Sequence, residues 1–128
     1  MKSILQITPL RSWIPAVVLF LATQAPAGAH AFLDYSVPKV GSTPTNSPAE
    51  VKIWFTEHLK PHGSTIQVLD ARGKTVDKKD SHRDFKDAAL LRVSLPKLPP
   101  GAYRVFWRAI AEDGHRTQGH FRFTIKRP

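Results

Sequence analysis

The chain has 128 residues, no cysteine, and 19 Lys and Arg against 10 Asp and Glu, a formal charge of +9. That length supports one small domain with a single core. The lack of cysteine excludes thiolate metal sites and thiol nucleophiles, and leaves packing rather than disulfides to hold an exported domain together.

Lys2 and Arg11 form a basic lead, Trp13–Ala22 is an uncharged apolar run, and small residues close on Ala27-Gly28-Ala29. This is the pattern of an export signal ending in an Ala-x-Ala cleavage site. The apolar run falls short of the roughly 20 residues that span a bilayer. Residues 1–29 are therefore expected to be removed, leaving 30–128 as a soluble domain with no membrane span. Cleavage after Ala29 makes His30 the first residue. It is then either whatever follows the cut or a chelating terminus, because a free α-amine and Nδ1 close a six-membered ring on one metal ion. The charge would suggest nucleic acid in a cytoplasmic protein, but export argues against that partner. The basic residues are spread along the predicted strands rather than clustered, which reads as a solvated surface favouring, at most, anionic lipid or an acidic partner.

Eleven prolines and seven glycines cut the whole chain into short pieces, and those after residue 29 show period-two alternation. Val51, Ile53 and Phe55 share one face. So do Tyr103, Val105, Trp107 and Ala109, and likewise Phe121, Phe123 and Ile125. This is the pattern of half-buried strands. Further strands are predicted at Phe32–Ser36, Thr65–Leu69, Lys74–Val76 and Leu90–Leu95, with turns at Pro44–Pro48, Ala71–Gly73, Pro96–Gly101 and Asp113-Gly114. Seven short strands read as an all-β Greek-key barrel or sandwich. The charge-dense stretch Asp77–Asp87 is predicted to be an exposed, mobile loop, and Trp54 and Trp107 to be packing residues.

Asp113-Gly114-His115 has two readings. An Asp-Gly pair between strands is a hairpin signal in its own right, and its neighbours are then ordinary turn residues. Asp-x-His also places a carboxylate and an imidazole on one turn, the partners a terminal histidine lacks. Together with the α-amine and the His30 ring they form a mixed nitrogen and oxygen set. Such a set suits Cu(II), which tops the divalent affinity series, and could hold Zn(II) with less benefit from the chelate. Met1 is the only methionine and leaves with the signal, so no thioether or thiolate remains for Cu(I).

Several stretches resemble the CopC-type periplasmic copper-binding proteins over essentially the whole mature chain. They are His30-Ala31-Phe32-Leu33, Pro38-x-x-Gly41-Ser42, Val51-x-Ile53-Trp54-Phe55-Thr56-Glu57, Leu98–Arg108, and Asp113-Gly114-His115-x-x-x-Gly119-x-Phe121-x-Phe123. The resemblance implies an immunoglobulin-like, seven-stranded Greek-key fold and a Cu(II) site built from His30, Asp113 and His115. Some members add a glutamate, which would be Glu57 here. Others carry a methionine-rich Cu(I) loop that this chain lacks, so it is similar to the Cu(II)-only branch. The implied role is a monomeric periplasmic Cu(II) carrier or buffer in copper homeostasis or resistance, passing copper to an inner-membrane partner of the CopD type. The alternatives are a copper monooxygenase using the same terminal chelate, for which the domain leaves little room, and an adhesion-type sandwich whose His30 and His115 never meet. His58 is a further residue that could approach the site. His62 and His82 are read as surface residues or a weak second metal site, and His120 as solvent-exposed.

Overall fold

The computed structural model describes Ser3 and residues 30–128; the signal sequence and its cleavage site lie outside the described residues. Seven strands form: β1 Leu33–Val37, β2 Glu50–Phe55, β3 Thr65–Leu69, β4 His82–Arg83, β5 Leu90–Ser94, β6 Gly101–Ile110 and β7 Arg116–Ile125. They make two antiparallel sheets, ordered β1-β2-β5-β4 and β3-β6-β7. The chain crosses between sheets after β2, β3 and β5, the connectivity of a seven-stranded immunoglobulin-like sandwich. Each sheet keeps two edge strands, so of the expected barrel or sandwich the fold is the sandwich. Among the described residues no helix is long and apolar enough to cross a membrane.

The alternating residues meet between the sheets. Val51, Ile53 and Phe55 of β2 and Leu91 and Val93 of β5 pack against Ile66, Val68, Val105, Trp107, Phe121 and Phe123 opposite. Near the start of β6, the Tyr103 hydroxyl donates to the Pro99 carbonyl. A tyrosine at this corner, bonded back a few residues upstream, ties the sheet crossover down in immunoglobulin-like folds. In place of a disulfide, Trp107 fills the centre with its ring edge-on to Phe55 at 5.1 Å.

Gly119 makes room for that indole. A Cβ built there would lie 2.4 Å from Trp107 Cζ2, and a rigid ring in a packed core has nowhere to move. Gly119→Ala is expected to destabilise the domain by about 1–3 kcal/mol, seen as a lower thermal midpoint. An unchanged midpoint would contradict this packing.

Two sequence expectations are corrected. Lys74–Val76 is not a strand: a tight turn at Asp70–Lys74 folds it straight back on β3, leaving one isolated bridge between Leu69 and Thr75. The seventh strand is instead His82–Arg83, inside the stretch expected to be a mobile loop. That stretch is tied down because its polar side chains accept backbone N–H groups that no strand satisfies. Asp77 Oδ2 accepts from Val68 N at 2.8 Å, Asp80 Oδ1 from Ser94 N at 2.7 Å and Ser81 Oγ from Ile66 N at 2.9 Å. Arg92 then bridges Glu50 of β2 and Asp84 of the same stretch.

Candidate metal centre

The first described residues of the domain are fastened to its end by a buried alanine and two threonines. Ala31 is fully buried in the core. Its carbonyl accepts the Thr117 hydroxyl at 2.6 Å. The Thr56 hydroxyl, just past β2, accepts from Phe32 N at 3.0 Å and donates to the His30 carbonyl at 3.3 Å. Thr56 N also donates to the Phe32 carbonyl at 2.8 Å. His30 itself remains exposed, on a backbone it has little freedom to leave.

The turn joining β6 and β7 closes with Ala111 N on the His115 carbonyl at 2.9 Å and Gly114 N on the Ala111 carbonyl at 2.8 Å. Gly114 sits at φ +90°, a region that glycine enters without steric cost. Asp113 shapes the rest: Oδ1 accepts from His115 N at 3.0 Å, and Oδ2 lies 2.8 Å from His115 Nδ1. The His115 backbone N–H, then its ring, hold the Asp113 carboxyl below the usual carboxylate range, with His115 and His30 adding charge attraction. An ionised carboxylate only accepts, so Nδ1 donates to Asp113 and leaves Nε2 as the ring nitrogen that can face an ion.

These two fastenings bring the rings of His30 and His115 to 4.9 Å between centroids, tilted by 53°. Two imidazoles bound cis to one ion at about 2 Å have centroids about 4.5 Å apart, so the observed spacing is close to what such a pair would need. The adhesion-type alternative, in which the two never meet, does not describe this arrangement. Among the described residues no three His, Asp or Glu groups form a ready-made metal cluster. The expected set draws on a main-chain amine as well, and His115 Nδ1 is occupied by Asp113.

Glu57 follows Thr56 directly and is half-buried; the hydrogen bonds among the described residues do not join it to His30 or His115. His58 stands with Glu112 instead, Nδ1 to Oε2 at 4.0 Å. His62 and His82 line one small cleft with Lys60 and Arg83, cationic neighbours that disfavour a metal ion there. His120 is exposed and stacks on Phe106. The residues that sequence reasoning missed are Thr56 and Thr117. Nothing marks them in the chain, because threonine at a strand end is ordinary and only strand pairing supplies their partners.

The leading residues of this immunoglobulin-like sandwich are pinned beside a histidine-bearing hairpin turn, which makes one end of the sandwich the candidate site. Residues 33–126 match the model of the CopC domain, and the chain belongs to the CopC family. It is similar to copper resistance protein C from Escherichia coli, 32% identical over 112 residues, 78% of this chain and 84% of that protein. The crystal structure of CopC from Methylosinus trichosporium OB3b aligns with a TM-score of 0.71 at 31% identity, covering 76% of this chain and 94% of that one. PcoC, a methionine-rich copper resistance protein from Escherichia coli, aligns at 0.67 and 28%, covering 77% and 100%.

Proposed function

We propose that residues 1–29 are removed on export and that the mature protein is a monomeric periplasmic Cu(II) carrier or buffer in copper homeostasis or resistance. Copper is its cargo. The α-amine and ring of His30, Nε2 of His115 and the Asp113 carboxylate hold the ion, with Glu57 as a further carboxylate in the adjoining segment. Delivery is to an inner-membrane partner of the CopD type. The observation that carries this reading is the 4.9 Å approach of the His30 and His115 rings, residues from opposite ends of the domain.

The donor set also argues for the oxidation state. Nitrogen and carboxylate donors without sulfur favour Cu(II) over Cu(I). The methionine-rich relative has a chemistry that this chain, with Met1 as its single methionine, does not share. Titration of the processed protein with Cu(II), Zn(II) and Cu(I) tests it: one tight equivalent of Cu(II), weaker Zn(II) and poor Cu(I) are expected. Tight Cu(I) binding would overturn the assignment.

Copper should be lost on acidification. Protons compete for amines and imidazoles, which ordinarily titrate at about 8 and 6.5. Asp113 stays ionised through that window because its pKa is depressed. The decline therefore belongs to the nitrogen donors, starting somewhat below neutrality and displaced further down as copper binds more tightly. At limiting metal, occupancy that stays flat from about pH 7 to pH 4 would exclude a site built on these histidines.

A further inference from the structure

Outside the metal centre, the outer face of the β3-β6-β7 sheet gathers an unbalanced charge. Arg104, Phe106 and Arg108 of β6 alternate with core residues and point outward, as do Arg116, His120 and Arg122 of β7. Their register sets Arg104 opposite Arg122 and Phe106 opposite His120. Like charges directly opposite on a sheet are destabilising, so the fold gains nothing from this pairing.

The other sheet treats its cations differently. On its outer face Lys52 and Arg92 both meet Glu50, and Arg92 also meets Asp84. Among the described residues, no carboxylate lies within ion-pair distance of Arg104, Arg108, Arg116 or Arg122. The acids that follow β3 are engaged elsewhere: Asp70 accepts from Arg72 N and Lys74 N, and Asp77 from Val68 N. Among the described residues, the one partner found for these guanidiniums is the Phe106 ring, 5.7 Å from Arg104.

The shape of the face limits what can cover it. The β3 edge is occupied, Ser81 Oγ and Asp77 Oδ2 taking the Ile66 and Val68 N–H groups, and on β7 Gly41 and Ser42 bond to Arg122 and Thr124. A partner strand is therefore blocked along β3 and at the C-terminal part of β7, and the sheet's broad offer is its face. From Arg116 to Arg122 the cations span roughly 20 Å along β7 at about 3.3 Å per residue. Between them, Phe106 is a third exposed. Guanidinium groups match phosphate oxygens with a two-pronged donor fork, and an aromatic ring beside them suits the boundary between headgroups and acyl chains.

We infer that this face docks the protein on an anionic phospholipid surface. Its basic residues are spread through the sequence but gathered by the β6–β7 ladder, so the reading of a merely solvated surface is replaced. The inference is independent of copper and uses no metal-centre residue.

The test is sedimentation of the processed protein with vesicles of phosphatidylcholine alone or mixed with phosphatidylglycerol, at low and physiological salt. Binding is expected only to the anionic vesicles, weakening with salt. Arg104→Gln with Arg122→Gln should lower the vesicle partition coefficient roughly 25-fold, about fivefold per charge near an anionic surface. Lys86→Gln with Lys97→Gln, which removes equal charge elsewhere, should change it little, and His115→Ala should leave it intact. Thermal melts show whether each variant is folded; the substituted arginines point to solvent. Equal binding to neutral vesicles, equal loss in both double variants, or failure of the parent to bind anionic vesicles would overturn the inference. Retention by a polyglutamate peptide with no vesicle binding would also overturn it, reassigning the face to an acidic protein.

Discussion

Adding a single residue ahead of His30 is expected to weaken Cu(II) binding at least about 100-fold, ~3 kcal/mol. An added residue turns the His30 α-amine into an amide, which is no donor while it keeps its proton, and the six-membered amine–imidazole chelate is gone. The structure makes the comparison clean. Ala31 is buried and the His30 and Phe32 backbone is held by Thr56, so an extension leaves the His30 ring beside His115. The loss then reports the His30 chelate, and blocking the new terminal amine by acetylation separates any binding that this amine restores. Competition against a chromophoric chelator, with the cleaved and extended proteins in parallel, measures the difference. Equal affinities would remove the terminal amine from the site.

His115→Ala is expected to cost as much or more, at least about 100-fold in affinity, because it deletes the nitrogen that the hairpin turn contributes. Asp113→Ala should cost less, about 10–100-fold, and should shift the copper spectrum towards higher nitrogen character. Asp113 acts twice. In the proposed site it offers an oxygen to the ion, and its contact with His115 Nδ1 leaves Nε2 as the free ring nitrogen. Neither change should unfold the domain, since both side chains are about half exposed on a turn while the core lies between the sheets. Circular dichroism checks the fold and competitive titration the affinity. If both variants stay folded and bind Cu(II) like the parent, the site is elsewhere.

Period-two alternation was enough to place five of the strands within a residue or two, because a side chain's face in an extended chain depends only on its parity. The same rule assigned Val51, Ile53, Phe55, Val105, Trp107, Phe121 and Phe123 to the core, where all are buried. It misjudged residues 74–87, where parity says nothing. Lys74–Val76 alternates like a strand but is absorbed into a tight turn, whereas His82–Arg83 forms a strand because neighbouring side chains satisfy its surroundings.

The residues of the candidate site were legible in part for a different reason. His30 and Asp113-Gly114-His115 carry chemical identities that turn and cleavage signals single out locally. Their approach to one another is not local. It follows from Ala31 burying itself in the core, from Thr56 and Thr117 holding the chain at the ends of β2 and β7, and from Asp113 turning His115. The arginine face has the same origin, since residues that look evenly scattered along two strands become one surface when those strands pair in register. What the sequence by itself determined was which residues carry donors and charge, and which parity they occupy. Only the tertiary structure decided which of them meet, because hydrogen bonds between distant strands set those distances and no local propensity encodes them.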